Sequence, residues 1–210
     1  DDTVIDPETE AAICRDIARL RQAVEVVIVA MHKGVDHTPA LVARRKLESF
    51  YGKKDPQAVA TAWPYLSSKD RFLRYAARTV LEFQDPKTWQ EKALKEEEPI
   101  ALTHAMIGLA RIGDKALQAR ILVALNRVDF AKLSEAQKID LLRAYQLAFV
   151  RMGAADDTAK SLVSGRLDAL YPARTPETNV ELCKLIAHLE VPGGVAKTLK
   201  LLAKAPTQEE

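Results

Sequence analysis

The chain has 210 residues, of which 48% are hydrophobic and 6% aromatic, and its 31 basic residues nearly balance its 29 acidic ones. This hydrophobic share supports a continuous core, and few glycines among many Ala, Leu, Lys, Arg and Glu favour an all-α fold. A net charge of +2 provides no strong field for nucleic acid or anionic lipid, and no apolar run approaches the roughly 18 residues of a membrane span.

Residues 1–54 are predicted to form an N-terminal helical segment that packs on the rest of the chain. A long helix is predicted from Pro7, although the β-branched run VEVVIVA within residues 21–31 could also be a strand, and a shorter helix follows in ALVARRKLESFYG. The opening DDTVIDPETE is acidic and lacks the parts of a signal peptide. Because the chain opens in mid-flow, we expect it to be a piece of a longer protein.

Helix starts recur with a period of about 30 residues from Asp55 onwards. Asp55-Pro56 and Asp85-Pro86 each place an N-cap acceptor before a proline at the first helical position, where the missing N–H has no intrahelical partner. Asp114 follows at nearly the same interval. A period of this length suits one pair of short helices per unit.

The rest of the chain is predicted as one continuous series of such units. Their approximate ranges are 55–84, 85–113, 114–153, 154–193 and a final partial unit 194–210. Pro64 is expected to bend or end the first leading helix, and Gly113 to be a left-handed C-cap. Ser134 and Gln137 have the spacing of a capping box. The last apolar segment has no partner helix, so we expect the parent chain to continue.

The helical pairs, the bent leading helix and the acid followed one turn later by an arginine, Asp70 and Arg74, resemble HEAT-like repeats. In such repeats the acid and the arginine can bridge successive turns and neighbouring units. The alternative is an exposed i, i+4 ion pair that contributes only about 0.3–0.5 kcal/mol. The resemblance implies a right-handed α-α superhelix of HEAT-like helical pairs.

Two longer strings resemble the helical segment of large exported bacterial proteins that join a dehydrogenase-like β-propeller, HEAT-like repeats and a c-type haem domain. They are RRKLESFYGKKDPQAVATAWPYLSSKDRFLRYAARTVLE and ELCKLIAHLEVPGGVAKTLKLLAKAPTQEE, and the resemblance covers roughly residues 44–210. It implies a periplasmic or otherwise exported parent, and a scaffold whose partner is a protein surface, namely other domains of that parent.

The two cysteines, Cys14 and Cys183, belong to no Cys-x-x-Cys-His motif, so haem attachment is expected outside this chain and no cofactor within it. A single long-range disulfide between them is conceivable. Two separate buried thiols on helices are the favoured interpretation.

One cluster of possible metal ligands occurs in HKGVDH, where His32, Asp36 and His37 lie in a predicted loop. Nothing downstream supplies a fourth ligand at familiar spacing, because His104 and His188 lie on apolar helix patterns and are predicted as core or rim residues. The acidic stretch EKALKEEEP is predicted to face solvent.

A nucleic-acid-binding module, or a helical-repeat DNA glycosylase, is the alternative function. The basic stretch ARRKLESFYGKK, with Phe50 and Tyr51, could meet phosphates and stacked bases, although cations near a helix C-terminus have a simpler dipole explanation. Trp63, Trp89 and Asp85 are the candidate glycosylase residues. Near-neutral charge and the absence of a phosphate loop or nucleophile elbow favour a non-catalytic scaffold, in which both tryptophans pack between repeats.

Overall fold

The computed structural model describes residues 38–204 and four isolated helical positions, Glu8, Ala11, Ala12 and Arg15. By its internal contacts the chain divides into two compact units, residues 1–42 and 43–210. In the described part all regular structure is helical and no β-strand occurs, which confirms the all-α prediction. The VEVVIVA run lies outside the described residues.

Ten α-helices lie between residues 38 and 204. They are α1 Pro39–Glu48, α2 Ala58–Ala62, α3 Arg71–Phe83, α4 Gln90–Lys95, α5 Pro99–Ile112, α6 Gln118–Asn126, α7 Glu135–Met152, α8 Asp157–Leu170, α9 Pro176–His188 and α10 Gly194–Leu202. Within this part of the chain, each helix falls short of the combined length and hydrophobicity that a bilayer crossing requires.

Aspartates open the pairs one turn earlier than the α-helices begin. The Asp55 carboxylate accepts a hydrogen bond from the Gln57 N–H at 2.7 Å, and α2 starts only at Ala58. Asp85 accepts from the Lys87 N–H at 3.0 Å and caps a single 3-10 turn, Pro86–Thr88. The predicted N-cap with proline at the first helical position is therefore confirmed at Asp85, where the helix is a 3-10 turn. At Asp55 the helix begins later than predicted, because an aspartate that bonds the N–H two residues on closes a tight turn first.

Pro64 ends the leading helix of the first pair, as predicted. The α-helix stops at Ala62 and a 3-10 turn, Trp63–Tyr65, carries the proline. Gly113, in contrast, closes α5 in an extended conformation with φ −76°, so its predicted left-handed geometry is wrong. Glycine is needed there because a Cβ would lie 2.5 Å from the Leu109 carbonyl oxygen.

The helices α3, α5 and α7 begin at side-chain caps. Asp70 accepts from the Phe72 N–H at 2.8 Å, and Glu98 accepts from the Ala101 N–H at 2.6 Å. At α7 the Gln137 N–H donates to the Ser134 hydroxyl oxygen, and the Ser134 N–H donates to the side-chain oxygen of Gln137. This reciprocal pair confirms the predicted capping box.

The helices pack as pairs, α2 with α3, α4 with α5, α6 with α7 and α8 with α9. We call α2, α4, α6 and α8 the first helices and α3, α5, α7 and α9 the second helices. The second helices contact one another in series, as do α4, α6 and α8, and α10 contacts α9. The core runs between these two layers. Because α3, α4, α6 and α7 all contact α5, that helix is buried on nearly every side.

Candidate interaction surface

At the C-terminal ends of three first helices, α4, α6 and α8, a basic side chain from the following part of the chain bonds the last carbonyl groups. The last carbonyls of a helix have no intrahelical partner, and a positive charge there also complements the helix dipole. We call these contacts the C-terminal cation links. They join Arg127 to the Leu94 carbonyl at 2.7 Å, Arg166 to the carbonyls of Leu125, Asn126 and Val128, and the Lys197 ammonium to the Asp168 carbonyl at 2.9 Å.

The end of α2 is held differently, by a contact between an indole and two charged side chains. The Trp63 Nε1–H donates to Glu96 Oε2 at 2.7 Å, and the Lys92 Nζ lies 4.2 Å from the centre of the same ring. Burial alone would raise the pKa of Glu96, but hydrogen bonds from the Glu98 and Glu97 N–H groups and from the indole lower it below its usual value. The acidic stretch was predicted to face solvent, but its Glu96 is half-buried and bonded to Trp63.

Polar contacts between neighbouring second helices join equivalent ends, which shows that these helices run parallel to one another. Near the start of α3 and α5, Arg74 Nε donates to His104 Nε2 at 3.0 Å. Near the ends of the same helices, Arg111 Nε donates to Glu82 Oε2 at 2.9 Å. Each pair thus has a defined register against the next.

Glu181 is the centre of the contact between α7 and α9. Its buried carboxylate accepts from Gln146 Nε2 at 2.8 Å and pairs with Arg143 and Lys184 at 3.2 and 3.1 Å. Burial would raise its pKa, but the bonds from Gln146, Lys184 and Arg143 lower it below the usual glutamate value. The carboxylate is therefore held in its charged form between two pairs.

The predicted pair Asp70 and Arg74 does not form an ion pair within residues 38–204. Asp70 uses its carboxylate to cap α3, and Arg74 donates to the carbonyls of Ser68 and Lys69 at 2.8 and 3.1 Å as well as to His104. Arg74 thus links neighbouring pairs through a histidine instead of through the acid one turn away.

His104 is a buried structural histidine. Its Nδ1 has no hydrogen-bond partner among the described residues. Burial, and then the charges of Arg78 and Arg74, lower its pKa to about 4. The predicted rim histidine, His188, is exposed, with its ring 5.1 Å from that of Phe149.

In the described part of the chain, no three His, Cys, Asp or Glu side chains are grouped so that they could hold a metal ion. The metal candidates His32, Asp36 and His37 lie outside the described residues.

The aromatic residues proposed for nucleic-acid stacking are packed against protein. The Tyr51 ring lies 5.7 Å from that of Phe83, and Phe50 packs on the core. Trp89 is fully buried, and Asp85 caps a backbone turn. Beside them, Arg44 pairs with Glu48 at 2.7 Å. These side chains are engaged within the protein and do not form a basic aromatic face.

An exposed aromatic surface on α3 was not predicted from the sequence. Phe72 and Tyr75 are 57% and 59% exposed, although Phe72 has helical spacing to the buried Ala76 and Val80. The guanidinium of Arg71 lies 5.3 Å from the Phe72 ring centre, and that of Arg78 lies 5.2 Å from the Tyr75 ring centre. We call Arg71, Phe72 and Tyr75 the α3 aromatic surface.

The sequence reasoning also missed the cations of the C-terminal links, Arg127, Arg166 and Lys197. A basic residue about one repeat length after the end of a first helix would have been the available signal.

Comparisons of the chain with family models, with curated proteins and with solved structures find no match.

Proposed function

We propose that this chain is a non-catalytic helical-repeat scaffold or protein–protein interaction module, formed as a right-handed α-α superhelix of HEAT-like pairs. The observation that carries the proposal is the serial contact of the helix pairs, joined by polar links between residues 29 to 43 positions apart. We also propose that it comes from a larger multidomain protein with dehydrogenase-like and c-type haem domains.

The packing supports a binding role because stacked pairs share their core with neighbours and leave extended faces for partners. The α3 aromatic surface fits that role, since protein interfaces are enriched in aromatic residues and arginine. The engagement of Tyr51, Trp63 and Trp89 in internal contacts favours the scaffold over the nucleic-acid alternative.

Truncation after Gly153 tests whether the pairs stabilise one another. It removes the Arg166 and Glu181 links, so the melting temperature should fall while the remaining residues stay helical by circular dichroism. Full retention of stability would contradict coupled stacking.

Two further measurements test the alternative function. The purified chain should not shift labelled duplex DNA at low salt, and elemental analysis should find no bound metal. A DNA shift that salt weakens steeply would favour the nucleic-acid module instead.

A further inference from the structure

Each second helix after the first lies against two earlier helices. Thus α5 contacts α3 and α4, α7 contacts α5 and α6, and α9 contacts α7 and α8. The groove between a second helix and the first helix that follows it is therefore filled by another helix three times in this chain.

The helix α10 follows α9 in the chain as a first helix follows each earlier second helix. Its Lys197 donates to the Asp168 carbonyl at the end of α8, just as Arg166 reaches the end of α6 and Arg127 that of α4. It also packs on α9. The groove between α9 and α10 thus lies between a second helix and the helix that follows it, as the three filled grooves do.

This α9–α10 groove is apolar and accessible. One part of it has a volume of about 490 Å³ and is lined by Val180, Cys183 and Ala187 of α9 and by Leu201 and Leu202 of α10. Val180 and Leu202 are 46% and 53% exposed. Cys183, whose pairing the sequence left open, is a half-buried free thiol, and Cys14 lies outside the described residues.

The two ends of the groove differ in charge. At the Pro176 end it is lined by Lys204, whereas at the other end it is lined by Glu190. Because the second helices run parallel, a helix that continued the series would begin at the lysine end. There an acidic first turn would lie near Lys204 and would also be stabilised by its own helix dipole. The second helices of this chain begin with such acids, Asp70, Glu98, Glu135 and Glu177.

We propose that the α9–α10 groove binds one amphipathic α-helix of another polypeptide segment, with an apolar stripe and an acidic N-terminal turn, running parallel to α9. A second copy is a poorer occupant, because its own α10 has no acidic residue in its first turn and carries Lys200 near its end. The inference rests on the proposed function, since it requires that the pairs form a continuing stack.

A synthetic peptide of 18 residues, the length of α7, is the probe. It carries Leu and Ala in one helical stripe and two Glu in its first turn. One control has the same composition with the stripe dispersed around the helix, and another has Lys in place of the two Glu. Binding to the full chain carrying Cys14→Ser is followed by fluorescence anisotropy and by protection of Cys183 from a maleimide.

The striped acidic peptide should bind and protect Cys183, and the dispersed peptide should do neither. Val180→Glu should weaken binding by about tenfold or more, equivalent to about 1.4 kcal/mol. The matched control Val150→Glu, at an 80% exposed valine of α7, should leave binding unchanged. Lys204→Glu should weaken the acidic peptide and favour the lysine peptide.

Equal binding of the dispersed peptide, or equal effects of the two valine variants, would overturn the proposal. Protection of Cys183 in the absence of peptide would also overturn it. Protection at every protein concentration would show that another part of the same chain fills the groove, and protection that increases with protein concentration would show that a second copy does. If the Gly153 truncation shows coupled pairs but no peptide binds, only this inference fails. Uncoupled pairs would remove the proposed function as well.

Discussion

Replacing Arg166 tests whether the C-terminal cation links stabilise the stack. Arg166→Met keeps most of the apolar stem and removes the guanidinium that bonds the carbonyls of Leu125, Asn126 and Val128. A hydrogen bond to a charged group contributes about 1.5–3 kcal/mol, and water can reach part of a helix end, so the three together should be worth about 2–3 kcal/mol. For a chain of this size that corresponds to a fall in Tm of about 4–12 °C.

The free energy of unfolding is measured by urea titration with circular dichroism, and the melting temperature by differential scanning fluorimetry. Arg151→Met, at an exposed arginine in the last turn of α7, is the matched control and should change stability by no more than about 0.5 kcal/mol. If both variants lose the same small amount, the links are surface contacts with no stabilising role and the reasoning is refuted.

Three further changes test separate parts of the structure. The pKa of His104 is lowered from 6.5 to about 4, so between these pH values the histidine is protonated only in the unfolded chain. Acidification from pH 7 to pH 4 should therefore lower the free energy of unfolding by roughly 3 kcal/mol in urea titrations, and His104→Gln should reduce this dependence on pH. An unchanged slope would show that other groups cause it. Trp63→Phe and Glu96→Gln should show a coupling of about 1 kcal/mol in a double-mutant cycle, whereas additive losses would mean that their hydrogen bond contributes nothing. Gly165→Ala should raise stability by about 0.5–1 kcal/mol, since a Cβ there meets nothing within 4 Å inside α8; a lower urea midpoint would contradict that.

Features that depend on neighbouring residues could be predicted from the sequence. The capping box at Ser134 and the helix end at Pro64 need only the chemistry of a few adjacent positions, and both are confirmed. The Asp-Pro starts were displaced because the same aspartate can cap an α-helix or close a tight turn, and sequence spacing does not separate the two. Gly113 was correctly expected at a helix end, but for a different steric reason.

Contacts between pairs could not be predicted in the same way. Arg166 bonds carbonyls 38 to 41 residues away, which requires the register of two helices that the local pattern leaves undetermined. Asp70 and Arg74 had helical spacing for an ion pair, but the cap at the start of α3 uses the carboxylate first. Phe72 lies at the edge of a wide apolar stripe, where the period alone does not decide which side chains a neighbour covers.

The C-terminal cation links also give the array a direction. The ends of α4, α6 and α8 are each completed by a residue that the ribosome adds 29 to 41 positions later, as with Asp168 and Lys197 or Leu125 and Arg166. During synthesis the newest pair is always the one whose carbonyls still lack their cation. Loss of a pair from the C-terminal side should therefore loosen the pair before it, whereas loss from the N-terminal side leaves the remaining helix ends intact.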